Sequence, residues 1–171
     1  MALIIEDGTN VTGADSYATT DEFNTYWSDR GKSTAVSAAT GTDKDRALRK
    51  AVDYMESNYS GRWKGVRANA TQALAFPRSG LVDSDGYPIE TTEIPRHLKP
   101  AQIEFAAAII DGIDLQKNVV AQGEIKRKRS KIDVLESETE YMGSQTQSGY
   151  AQRAEGYLRE YVVGSGQAVR G

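Results

Sequence analysis

Apolar residues recur at helical spacing in four stretches of this 171-residue chain, and polar or glycine-rich runs separate them. The first stretch opens at Thr19. Thr19 and Glu22 have capping-box spacing, so each side chain can satisfy a free backbone N–H of the other residue. Phe23, Tyr26 and Trp27 then share one face, and Gly31 suits the C-terminal cap. A second helix is predicted over residues 42–59. Asp43 and Asp45 sit in its first turn, where the helix dipole favours anions, and Leu48, Val52, Met55 and Tyr59 form its buried stripe. A third helix spans 95–115. Pro95 fits its first turn, and Pro100 must also lie early if the helix is to stay straight. From 101 to 113 nearly every side is apolar or small, so this is the expected central helix, with Ile109 fully buried. A last helix over 150–163 places Tyr150, Ala154, Tyr157, Leu158 and Tyr161 on one face.

Between these stretches the pattern predicts one edge strand plus a loop over 2–17 and a flexible loop over 31–41. Residues 62–88 form a long irregular connection, and loops of that length are usually functional or contact-making. Trp63 and Phe76 should pin it to the core, with Asp83-Ser84-Asp85-Gly86 as an exposed turn. Residues 124–141 divide into a basic part (Lys126, Arg127, Lys128, Arg129, Lys131) and an acidic part (Asp133, Glu136, Glu138, Glu140), and the alternation of Ile132 and Val134 suits extended strands. Residues 143–149 read as a linker and 164–171 as a mobile tail. The expected fold is mainly α: a compact helical bundle with a small extended β-hairpin arm and a tethered C-terminal helix. It divides into a helical unit, 1–142, that includes the arm at 124–141, then the linker 143–149 and the helix and tail 150–171.

Composition narrows the function. The 39% apolar and 26% charged fractions fit a folded globular chain and argue against global disorder. A net charge of −3 gives no overall attraction to nucleic acid or acidic lipid, so any such contact must come from a local patch. Cysteine is absent, which excludes disulfides and thiolate chemistry. The N-terminus lacks a signal-peptide pattern, and no apolar run approaches a membrane span. A cytoplasmic setting without membrane partners is therefore expected.

Candidate chemistry is sparse. His97 is the sole histidine and has no obvious Ser, Cys or carboxylate partner, which argues against a triad or a zinc site. No phosphate-cradling glycine motif occurs. The Asp83–Gly86 run departs from a calcium loop, because its glycine comes early and Ile94 stands where the closing glutamate belongs. Neither an enzyme nor a cofactor is expected. The basic run 126–131 can bind nucleic acid or pair with an acidic strand, in this subunit or a neighbour, and the pairing is the favoured reading.

Several segments in succession resemble a known family. They are Gly13-Ala14-Asp15-Ser16-Tyr17 with the aromatic helix at Phe23–Trp27, the helix 47–59 running into Arg62-Trp63-Lys64-Gly65, and Gln72-Ala73-Leu74-Ala75-Phe76-Pro77-Arg78-Ser79-Gly80. Asp85-Gly86, Ile94-Pro95, the alanine-rich helix and the basic strand 125–131 complete the order. This order resembles the phage head–tail adaptor (connector or head-completion) proteins, many of which carry the label of DnaT-like single-stranded DNA-binding proteins. Phe76 stands where many relatives have tryptophan. The resemblance implies a structural virion protein of a tailed phage, assembled in the host cytoplasm. It would form a homo-oligomeric ring, commonly of twelve copies, between the portal protein and a tail or second neck protein, and double-stranded DNA would pass through without specific binding. Arg127, Arg129, Glu136, Glu138, Tyr157, Leu158 and Tyr161 are the expected interface, since a ring needs two complementary surfaces per subunit. The alternative is a single-stranded DNA-binding protein that uses the basic stretch 126–131.

Overall fold

A computed structural model describes residues 2–116, 125–129, 138–141 and 149–163, the two segments 125–129 and 138–141 by their backbone alone. The expected edge strand near the N-terminus is replaced by a loop wrapped around one carboxylate. Glu6 is fully buried, and its Oε1 accepts the N–H groups of Gly8 and Asn10 while Oε2 accepts that of Val11. Hydrogen bonds to a charged acceptor are stronger than neutral ones, so the carboxylate holds this loop, and the strand pairing left is a single bridge between Ile5 and Ser16.

Helix α1 (Thr20–Arg30) begins with both halves of the Thr19/Glu22 capping box and buries Phe23, Tyr26 and Trp27, as its pattern predicts. Gly31 follows at φ 76°, a positive value that glycine adopts without a Cβ clash. The loop expected over 31–41 contains a short helix instead, α2 (Thr34–Ala38). Ser33 caps it by accepting the Val36 N–H, and Val36 is buried beneath it. Helix α3 (Gly41–Asn58) starts at a second capping box, Thr40 with Asp43, and buries Leu48, Val52 and Met55, with Tyr59 just beyond its end.

Helix α4 (Leu98–Ile110) is central and packs against both α3 and α5 (Gly149–Leu158). Pro100 lies in its first turn, where its missing N–H has no intrahelical acceptor to lose. Residues 101–108 are all buried, and the alanines among them let neighbouring helices approach closely. Two of the eight are polar, and both are satisfied. Gln102 Oε1 accepts the N–H groups of Tyr17 and Ala18, and its Nε2 donates to Ser16 Oγ and the Leu48 carbonyl. Glu104 is held by Arg153 and Tyr26. The helix stops earlier than the expected 115. Gly112 N–H returns to the Ile109 carbonyl and Ile113 N–H to that of Ala108, a Schellman motif with Gly112 at φ 83°. Ile109 therefore stands at the last turn and is half-buried, which corrects the expectation of full burial. It lines a cavity of about 430 Å³ with Lys50, Asp53, Tyr54 and Leu115.

Strands pair only locally among the described residues. Three antiparallel hairpins form: β1 (Val66–Arg67) with β2 (Arg78–Ser79), β3 (Leu81–Val82) with β4 (Pro88–Ile89), and β5 (Ile125–Arg129) with β6 (Glu138–Tyr141). The last is the expected arm. The C-terminal helix was expected over 150–163. Its regular part ends at Leu158, and a 3₁₀ turn, Arg159–Tyr161, completes it. Ala151, Ala154, Leu158 and Tyr161 are all buried in this chain's own core. The expected linker, from 143, and the tail 164–171 lie outside the described residues but for Gly149, which opens α5. No helix among the described residues is long and apolar enough to cross a membrane.

Candidate nucleic-acid interface

The long connection after α3 is ordered by aromatic rings. Trp63 and Phe76, 8% and 0% exposed, meet edge to face with centroids 5.0 Å apart, and Tyr59, Tyr17 and Tyr161 pack around them. Both residues thus anchor the segment, as the sequence predicts. Gln72, buried beside them, accepts the Asn69 N–H at Oε1 and donates from Nε2 to the carbonyls of Leu74 and Pro77. Tyr17 OH accepts the Phe76 N–H and donates to Glu56 Oε1, which also accepts the Ala75 N–H. The C-terminal end closes the segment from the other side. Lys64 N–H donates to the Tyr161 carbonyl at 2.9 Å, Val163 N–H to that of Arg62 at 2.8 Å, and Lys64 Nζ to that of Glu160 at 2.8 Å. The expected turn at Asp83 forms too: its Oδ1 accepts the N–H groups of Asp85 and Tyr87, and its carbonyl accepts that of Gly86.

Residues 57–82 contain Arg62, Lys64, Arg67 and Arg78 and no aspartate or glutamate, in a chain whose net charge is −3. Within that run, antiparallel register sets Arg67 directly opposite Arg78. Directly opposed residues of an antiparallel pair project on the same face, so two like charges share one side of the hairpin. Arg78 is fixed: its Nε donates to the Lys64 carbonyl at 2.7 Å, Nη2 to that of Gly65 at 2.8 Å and Nη1 to that of Ala75 at 3.2 Å. Burial, then the neighbouring Arg67 charge, lowers its pKa, although a guanidinium remains charged throughout the physiological range. Gly65 makes the hairpin possible. Its φ is 67°, and a Cβ there would overlap the Ser79 carbonyl oxygen. Val66 (66%), on β1, and Tyr87 (70%), in the turn between β3 and β4, are exposed.

The residues singled out from sequence fall in two other places. In the β5–β6 arm, Arg127 stands opposite Glu140 and Arg129 opposite Glu138, while Lys128 faces the uncharged Thr139. The basic strand thus has its acidic complement within the same chain. Glu136 lies outside the described residues. On the last helix, Leu158 and Tyr161 are buried, and Tyr157 is half-buried with its hydroxyl 3.4 Å from that of Tyr26. His97 precedes α4 and meets Glu160 Oε1 through Nδ1 at 2.7 Å. Among the described residues no cluster of three His, Asp or Glu could hold a metal. The Arg67–Arg78 pairing was missed because each arginine alone looks like ordinary surface charge. The one legible signal was the absence of carboxylates over 57–82.

A protein-family model described as "Putative DnaT-like ssDNA binding protein" matches residues 1–171. The chain belongs to that family. No curated protein and no solved structure matches it. Membership of the DnaT-like family corrects the head–tail adaptor reading: the matching family carries a single-stranded DNA-binding description, and no adaptor family is found. The twelve-copy ring, the portal and tail partners, the virion role and the passage of duplex DNA without specific binding fall with that reading. The physical reason lies in what carried the resemblance. Phe23, Trp27, Leu48, Trp63 and Phe76 build the core of this DnaT-like chain, and core residues specify a fold, whereas function rests in sites placed upon it.

Proposed function

We propose that this protein binds single-stranded DNA through the surface formed by residues 57–82 and catalyses no reaction on it. The observation that carries the reading is charge segregation. An acidic chain gathers Arg62, Lys64, Arg67 and Arg78 into one segment free of carboxylates, and family membership over the full chain supports DNA as the polyanion. Single-strand binders combine a basic track for the phosphates with aromatic faces for the bases. Tyr87, the one aromatic among the exposed large hydrophobics described, offers such a face. Arg78 and Val82 are separated by at most about 14 Å of chain, and Val82 pairs with Pro88 beside Tyr87. The basic strand β5 is the weaker candidate, because Glu138 and Glu140 stand opposite its arginines.

The test is anisotropy of a labelled oligothymidylate across a salt series, with duplex of equal length as comparison. The single strand should bind more tightly. Its log K should fall linearly with log salt, by about 0.7 per phosphate contact. Absent or salt-independent binding would overturn the reading.

A further inference from the structure

We propose that Arg67 and Arg78 form a two-guanidinium seat for one phosphate of the DNA backbone, with Arg78 the fixed member and Arg67 the one that closes on the ligand. The proposal deepens the single-strand reading and rests on it. Like charges directly opposed across a two-stranded ladder destabilise it, and this ladder is only two residues long on each side. Nothing in the fold requires a cation at both positions. Arg78 has a structural role, since its guanidinium ties together the carbonyls of Lys64, Gly65 and Ala75. Arg67 has none of that kind: it is exposed, and among the described residues it makes no ion pair or side-chain hydrogen bond. An anion seated between the two converts their repulsion into a bridge. Guanidinium forks match phosphate oxygens in both geometry and charge.

The surroundings favour an anion over an internal partner. Glu56 is the carboxylate whose charged form both arginines favour, yet its Oε1 is already taken by Ala75 N–H and Tyr17 OH. Burial holds that carboxyl above its ordinary pKa, which weakens it further as a counter-charge. Lys64 stands in the same run with its Nζ on the Glu160 carbonyl and does not occupy the seat. A rival account makes Arg67 a solvated surface residue with no ligand.

The experiment compares Arg67→Gln with wild type, and Lys128→Gln in β5 serves as a control on nonspecific charge loss. The seat predicts that Arg67→Gln lowers the slope of log K against log salt by about 0.7, one phosphate contact on a single strand. The loss should be uniform across base sequences, and Lys128→Gln should leave the slope unchanged. The variant's melting temperature without DNA, at low salt, should equal or exceed that of wild type, because a repulsion has been removed. Wild-type slope in Arg67→Gln overturns the seat while leaving single-strand binding intact. If wild type binds no oligonucleotide, the DNA reading fails, and inorganic phosphate decides the seat by itself. Phosphate that raises the wild-type melting temperature above chloride of equal ionic strength, and does not do so in Arg67→Gln, supports it. Equal response in both proteins overturns it.

Discussion

Arg153 grips Glu104 at two points, Nε to Oε1 and Nη2 to Oε2, each at 2.9 Å. Glu104 is 1% exposed in the middle of α4, whereas the arginine side chain is half exposed on α5. Tyr26 OH donates to the same carboxylate at 2.7 Å, so three helices meet on one charge. The hydrogen bond to Glu104 also raises the Arg153 pKa. Arg153→Gln should destabilise the fold by about 2–3 kcal/mol, less than a fully buried pair would lose because solvent already reaches the guanidinium. Urea melts of the two proteins measure this, and a difference within error would mean that the pair is only a surface contact.

Gln102 makes a comparable connection with a neutral group. Its amide uses both ends, toward Tyr17, Ala18, Ser16 and Leu48, and it is fully buried. Gln102→Leu keeps the shape but orphans two buried N–H groups, at about 1–3 kcal/mol each before relaxation. Thermal melts should show a large loss despite the more hydrophobic side chain. A variant as stable as wild type would show that water or a shifted loop supplies those donors.

Much of this architecture is legible in the sequence where both ends of an element carry chemistry. Thr19, Glu22 and Gly31 bracket α1, and the stripe of Leu48, Val52 and Met55 marks α3. Helix α2 is too short to show a period, and Ser33 was its only signal. The end of α4 is hidden because Ile113 and Leu115 continue the apolar run past Gly112, so hydrophobicity alone cannot mark the stop. The opposition of Arg67 and Arg78 depends on register, which a loop with no repeating pattern does not encode visibly. Function was least legible, since the residues most recognisable in the sequence are those that build the core.

The pH dependence of stability should carry the mark of Glu56. Burial is the largest influence on its carboxyl and holds the pKa above 4.5, against the hydrogen bonds from Ala75 and Tyr17 and the fields of Arg67 and Arg78. As pH rises the unfolded chain gives up this proton first, so the group's contribution is full below about 4.5 and is lost as pH climbs through the raised folded value. Glu56→Gln remains neutral and should flatten that part of the profile. Urea denaturation at stepped pH reads the slope, and an unchanged slope would assign it elsewhere.

Tyr87 tests the base-facing side of the proposed surface. Its ring is exposed, and only its backbone takes part in the Asp83 turn. Tyr87→Ala should leave stability unchanged and weaken oligothymidylate binding by about 1–3 kcal/mol, while Tyr87→Trp should retain it. Anisotropy titrations at fixed salt separate these outcomes. Equal affinity in all three proteins would place the bases elsewhere.

The closure of residues 160–163 over Arg62 and Lys64 has a consequence for synthesis. Lys64 Nζ meets a carbonyl 96 positions later in the chain, and Trp63 bridges to Val162. Chains are made from the N-terminus, and early segments begin to fold before later ones exist. Helices α1, α3 and α4 can therefore meet while the ribosome is still adding residues, but the bonds that residues 160–163 make to Arg62 and Lys64 cannot form until residue 163 has emerged. A nascent chain halted before that point holds its arginine hairpin only through Tyr17, Glu56 and the hairpin's own bonds.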